Sequence, residues 1–209
     1  AGKMPDEDSL RRYKSELLLF LAEEYTRRNI AMQLHMGALR NNNAKMMRRL
    51  GPDTGYDSIA FPTDPAQLSR FLDTAASSDA LPKTVLYCLN PADNLALATM
   101  AVNFADSATP GKIQFGSAWW FLDTEAGMRA QLETLIETGL LSSFVGMLTD
   151  SRSFTSFGRH EYFRRVLCNR LGAMVEAGEY PAAHIETLGA LVQDICYRNA
   201  TEYFGLKGV

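Results

Sequence analysis

The stretch FVGMLTDSRSF, residues 144–154, joins an apolar run to an abrupt polar end. Residues 144–148 have the composition of a short buried strand, and Asp150 and Arg152 bring charge to the point where that strand stops. A helical pattern begins near Arg159. In proteins built from βα repeats the C-terminal strand ends open onto one face, where the chemistry is done. Asp150 and Arg152 are therefore candidate site residues. The same segment also reads as a helix cap, with Asp150 or Ser153 accepting backbone N–H bonds and Arg152 as a surface cation. Taken alone, it leaves both readings open.

Working outward, the chain alternates strand-like and helix-like segments. IAMQLH (30–35), TVLYCL (84–89) and KIQFGS (112–117) join FVGML (144–148) as short apolar runs. Amphipathic or helix-forming stretches lie at 9–28, with Ser9 as a candidate N-cap, and at 65–75, 93–104 and 124–138. Two long helices are expected at 158–177 and 184–204, separated by Gly178 and Pro181. Residues 38–50 read as helical or irregular, and GPDTGYDS (51–58) as a loop. Apolar runs without alternation indicate strands buried on both faces, hence a parallel sheet. The expected fold is α/β, and residues 1–209 read as a single region with no internal domain boundary. A small open sheet and half of an eight-stranded barrel both fit this pattern.

The polar residues gather at the strand ends. His35 closes the first strand and is followed by Arg40 and by Asn41, Asn42 and Asn43. Asn90 closes the second, and Ser117, Trp119 and Trp120 follow the third. An imidazole and a carboxylate can move protons or hold a divalent metal. Arginine grips a carboxylate with two parallel bonds. An indole offers an apolar platform to the C–H face of a sugar. The set suits an acidic carbohydrate. Each member also has a plainer reading. His35 can be structural, and the asparagines can be a turn. Adjacent Trp119 and Trp120 point to opposite faces in an extended chain, so one of them belongs to the core. His160 and His184 fall on helices and read as structural or surface residues.

Composition narrows the function classes. Net charge is −3 and no basic stripe is present, which argues against a nucleic-acid partner. The run LLLFLA (17–22) is too short to span a bilayer, and the polar, acidic first residues do not resemble a signal peptide, so no membrane role and a cytoplasmic location are expected. Cys88, Cys168 and Cys196 are widely spaced, with no CxxC pair, and read as buried free thiols. GxGxxG, phosphate-loop, GxSxG, HExxH and HxH motifs are all absent.

QLHMGALRNNN (33–43), LGPDTGYDSI (50–59), LPKTVLYCLNP (81–91), GKIQFGSAWWF (111–121), GLLSSFVGMLTDSRSF (139–154), RHEYFRRVLCN (159–169) and DICYRNATEYF (194–204) together resemble the uronate (glucuronate) isomerase family, in order from about residue 10 onward. The resemblance implies interconversion of D-glucuronate with D-fructuronate and of D-galacturonate with D-tagaturonate. It implies a divergent (β/α)8 TIM barrel of the metal-dependent amidohydrolase superfamily, of which this chain would be the C-terminal half, strands five to eight. It implies one divalent ion, usually zinc, held by Asp150 and by an HxH pair on the first strand, and no organic cofactor. Asp150, Arg152 and His35 match catalytic positions, and Arg40 and Trp119 match residues lining the sugar-acid pocket. The HxH pair is missing here, so two metal ligands would lie in an N-terminal half outside this chain. A metal-dependent hydrolase of the same superfamily and a non-catalytic truncated homologue are the alternatives. A half barrel leaves apolar edges at 30–35 and 144–148, so association with a second half, or a homo-oligomer, is expected.

Overall fold

The computed structural model describes residues 4–206. Helix α1 (Glu7–Arg28) is capped by Asp6, whose side chain accepts the Ser9 N–H at 2.7 Å. The expected cap, Ser9, is thus the capped residue. Strand β1 (Met32–Met36) follows, then β2 (Ala38–Leu39), α2 (Ala44–Leu50), β3 (Ser58–Ile59) and α3 (Pro65–Ser77). Strand β4 (Thr84–Cys88), α4 (Asn94–Asn103), β5 (Ile113–Phe115) and α5 (Glu125–Glu137) continue the alternation. Helix α6 (Gly158–Glu176) precedes α7 (Ile185–Gln193) and α8 (Asn199–Phe204). The last two are joined through a wider π-helical turn at Asp194–Arg198, so the segment expected at 184–204 is helical nearly throughout. No helix among the described residues is long and apolar enough to cross a membrane.

Three strands form a parallel sheet in the order β1-β4-β5. All of central β4 is buried. Because strand side chains alternate, one face presents Leu34, Met36, Leu86, Cys88, Ile113 and Phe115 to a core shared with the helices. The other face carries Val85 and Tyr87, which pack with Leu89, Trp119 and Tyr203. Strand β1 departs from the expected two-sided burial: Met32 is buried, but Gln33 and His35 are exposed. It is an edge strand, bonded to β4 alone among the described strands.

The fourth strand, expected at 144–148, is not formed. Gly146 has φ +81°, outside the extended region, and a Cβ there would run into the Ile195 carbonyl. Side chains take the place of a backbone ladder. Gln114, 3% exposed, donates to the Gly111 and Ser143 carbonyls at 2.8 and 2.9 Å, and its amide oxygen accepts from Val145 N–H at 3.3 Å. Ser117 Oγ accepts from Leu148 N–H at 3.4 Å. The segment still runs beside β5, but without strand geometry. The region 38–59 also resolves beyond the expectation. β2 and β3 make a short antiparallel ribbon, with Ala38 opposite Ile59 and Leu39 opposite Ser58. Of the three cysteines only Cys88 is buried. Cys168 is exposed and Cys196 intermediate, so burial of all three does not hold.

The C-terminal helices tie off the N-terminal ends of the strands. Lys83 Nζ donates to the Tyr203 carbonyl at 2.5 Å, and Tyr203 Oη donates to the Lys112 carbonyl at 3.0 Å. Asn199 Nδ2 reaches both the Ser142 and Phe144 carbonyls at 2.9 Å.

Gln114→Leu keeps the volume but strips three backbone groups of their partner. Each unsatisfied buried group costs about 1–3 kcal/mol, so a loss of at least about 2 kcal/mol is expected, read as a lower urea midpoint. An unchanged midpoint would show that the segment 144–148 does not depend on this side chain.

Candidate active site

Beyond the C-terminal strand ends lies an open cleft of about 1020 Å³. Arg40, Trp119, Asp150 and Arg152 all line it, together with Asp53, Asp57, Trp120, Arg159 and His160. The turns that follow β1 and β5 and the segment 147–152 meet there. Five of these residues, Arg40, Trp119, Trp120, Asp150 and Arg152, are the ones the sequence places at strand ends.

Trp119 connects the cleft to a row of aromatic contacts behind it; His35 and Tyr87 belong to that row but are not among the residues lining the cleft, and His35 instead borders a second cavity beside Leu34, Met36 and Phe71. His35 and Tyr87 are register partners across β1 and β4, and their rings stack at 4.7 Å and 23°. His35 meets Trp119 edge-on at 4.5 Å and 77°. The Trp119 indole N–H donates to Asp150 Oδ2 at 2.9 Å. The structure thus links His35 to Asp150 through one indole, although the two residues are 115 positions apart. Trp119 is 6% exposed. Asp150 itself is exposed and sits at φ 45°, a left-handed conformation that aspartate tolerates.

Tyr87 is a site-face residue that sequence reasoning did not single out. Its hydroxyl donates to Gln33 Oε1 at 2.9 Å. Burial, reinforced by the charge of Asp150, pushes its pKa well above the ordinary tyrosine value. It remains a protonated donor and ring platform. Its signal in the sequence was its place two residues after Val85 on a period-two strand.

Trp120 also belongs to the cleft, so the expectation that only one of the two tryptophans faces the site is corrected. The backbone turns at Trp120, φ 50°, which breaks the extended geometry that would have pointed it away. Such a conformation is uncommon for a bulky residue. The Trp120 ring stacks on Phe121 at 4.8 Å and carries the Arg40 guanidinium 4.8 Å above it.

The cations are differently committed. Arg40 Nη1 bonds Asp57 at 3.1 Å and Asp53 at 3.3 Å. Arg159 is paired with the buried carboxylate of Asp123. Arg152 is exposed and forms no ion pair or hydrogen bond among the described residues. His160, expected to be a bystander, lines the cleft one turn into α6. Burial, then the neighbouring charges of Arg164 and Arg159, lower its pKa.

Other strand-end polar residues take the plainer reading. Asn90 donates to the Ala60 carbonyl at 3.1 Å and accepts from Ala92 N–H at 3.0 Å. Asn41 turns at φ 57°, and Asn43 caps α2. Asn42 bonds the Leu39 carbonyl and Ser58 Oγ. His184 is exposed in a 3-10 turn.

Among the described residues no three His, Cys, Asp or Glu side chains converge where a metal ion could sit. A catalytic zinc takes three protein ligands and an open position. This chain's own side chains do not fit a complete metal centre. Asp150 offers one donor, with Oδ2 already bonded to Trp119.

The fold and cleft define a mixed α/β protein with a polar site at the C-terminal ends of parallel strands. Comparison with known proteins gives the family. The sequence profile of the glucuronate isomerase family matches residues 1–204, and the chain belongs to that family. It is 54% identical over 207 residues to the uronate isomerase of Serratia proteamaculans, covering 99% of this chain and 44% of that protein. It is 53% identical over 208 residues to that of Photorhabdus laumondii, again covering 44% of the relative. The crystal structure of uronate isomerase from Thermotoga maritima superposes with a TM-score of 0.86 at 35% identity, over 98% of this chain and 43% of that one. Glucuronate isomerase from Caulobacter crescentus gives a TM-score of 0.80 at 26% identity, over 92% of this chain and 39% of the other. The chain therefore spans less than half the length of the relatives it matches.

The lowered pKa of His160 has a stability consequence. The imidazole is harder to protonate folded than unfolded, so its contribution is complete above the unfolded value of 6.5 and is lost as pH falls through the lower folded value. His160→Gln should flatten that acid-side loss, measured by chemical denaturation on both sides of neutrality. An identical decline in both proteins would remove His160 from this role.

Proposed function

We propose that this chain is the C-terminal part of a (β/α)8 uronate isomerase, with β1, β4 and β5 as strands five to seven and the segment 144–148 in the place of strand eight, and that the whole polypeptide interconverts D-glucuronate with D-fructuronate and D-galacturonate with D-tagaturonate. The Trp119–Asp150 bond supports this reading most directly, because it holds a carboxylate in a cleft rimmed by arginines and indoles. That chemistry suits a sugar acid: cations for its carboxylate, an aromatic wall for its ring and a carboxylate for proton transfer.

Isomerisation removes a proton from one carbon, passes through an enediol and returns a proton to the neighbouring carbon. A hydroxyl proton is lost where the new carbonyl forms and gained where the old one was. In this reading Asp150 and His35 shuttle hydroxyl protons during ring opening. Arg152, the uncommitted cation of the cleft, offsets charge on the enediolate. Arg40 binds the substrate carboxylate, and Trp119 forms the wall behind it. No organic cofactor is needed. A divalent ion, zinc in the resemblance, is assigned to Asp150 and to two histidines outside this chain. The location is proposed to be cytoplasmic.

The exposed outer edge of β1 fits the same reading. An unpaired parallel edge recruits another strand. In the whole polypeptide it would pair with the preceding barrel strand.

In the full-length isomerase, Asp150→Asn should lower turnover by about 100-fold or more, since altering even supporting groups of a metal site costs about 10–100-fold. Near-normal activity with full metal content would refute the role. The 209-residue chain alone should show no isomerase activity and should self-associate in light scattering. A soluble monomer that turns over glucuronate would overturn the half-barrel reading.

A further inference from the structure

Arg40 is held by two carboxylates of very different character. The β2–β3 ribbon ends with Leu39 opposite Ser58, so Arg40 and Asp57 stand at the next cross-strand position. Asp57 is built in: its side chain is 5% exposed, one oxygen accepts Asn41 N–H at 2.8 Å and the other meets Arg40 Nη1 at 3.1 Å. The ribbon continues beyond the pair through Asn42 N–H to the Tyr56 carbonyl at 2.8 Å. Asp53 is the opposite case. Its side chain is 72% exposed, its bond to the same Nη1 is longer at 3.3 Å, and its backbone sits at φ 59° between Gly51 and Gly55, both at positive φ. The guanidinium is braced from a third side by Trp120.

Both acids and both indoles line the same cleft. A charged carboxylate entering it meets an arginine already partly neutralised. It can displace the exposed partner, since an exposed ion pair contributes little, whereas a two-pronged arginine–carboxylate contact is among the stronger ones. It cannot displace the buried one. We propose that Arg40 is a preset anion clamp, in which Asp57 is the positioning residue that fixes the guanidinium and Asp53 is an internal carboxylate that the substrate's own carboxylate replaces. This rests on the assignment of Arg40 to the sugar acid made above. The clamp selects anionic over neutral sugars, because a neutral sugar has nothing with which to repay the loss of Asp53.

The two acids should therefore act with opposite sign. Kinetics would be measured in the full-length isomerase with D-glucuronate, and binding of uncharged D-glucuronamide by calorimetry. Asp57→Asn keeps an oxygen for the Asn41 bond and removes the charge. It should raise KM for glucuronate about 10-fold with kcat within about 3-fold, the signature of lost uniform binding. Asp53→Ala should lower KM about 3-fold or more, at unchanged kcat, by the same criterion. Glucuronamide binding should be tightened by Asp53→Ala more than glucuronate binding, so that discrimination against the neutral sugar narrows. A rise in KM for Asp53→Ala, or a fall in kcat at constant KM for Asp57→Asn, overturns the clamp. Asp53 lies on an exposed loop, so its arm decides the matter even if Asp57→Asn does not fold. Arg40→Ala separates the two levels of the claim. If it leaves acid-over-amide discrimination intact, the assignment of Arg40 itself fails. If it abolishes discrimination while the two acids do not move KM in opposite directions, only the clamp fails.

Discussion

The parallel register of β1 on β4 determines what the cleft can be. It sets His35 beside Tyr87 and Gln33 beside Val85, and the two-residue period of a strand then sends these side chains to one face and Leu34, Leu86 and Cys88 to the other. A slip of one residue would turn the imidazole to the helix-packed face and Leu34 to the face of Tyr87 and Trp119. The stacked imidazole and phenol, the indole edge against them and the carboxylate at the end of the row all follow from that pairing.

The second support is the replacement of a ladder by side chains. Gln114 and Ser117 satisfy the Val145 and Leu148 N–H groups from within β5 and its extension. The segment is free of strand geometry, so Gly146 can turn and Asp150 can take a left-handed conformation. A regular strand there would have alternated its residues and pointed Asp150 by parity. Departure from regular structure is what lets the carboxylate meet Trp119.

Much of the architecture was legible in the sequence because its cause is local. The apolar runs at 84–89 and 112–117 and the helix at 65–75 depend on composition and on flanking Pro and Gly. Tertiary context decided the rest. FVGML has strand composition, but the Gln114 amide, 29 and 31 positions before its partners Ser143 and Val145, occupies the bonds a strand would need. The ribbon of β2 and β3 is too short to announce itself as a period. Trp120 was misplaced because alternation was assumed through a turn where φ is positive. Asp57 lay unnoticed inside an acidic, glycine-rich loop, since its burial comes only from the ribbon. Strand-end residues were found because topology, rather than side-chain detail, brings them together.

The tie between Tyr203 and the strand bottoms has a temporal meaning. Its contacts with Lys83 and Lys112 bridge 120 and 91 positions of sequence. Contacts of such span form slowly, because a long loop must close before they repay its entropy. At a synthesis rate of about 5–20 residues per second, the bottoms of β4 and β5 wait several seconds on the ribosome for their closing partner. Until then the row Val85, Tyr87, Leu89 lies without its Tyr203 cover, and the nascent sheet is at its most adhesive.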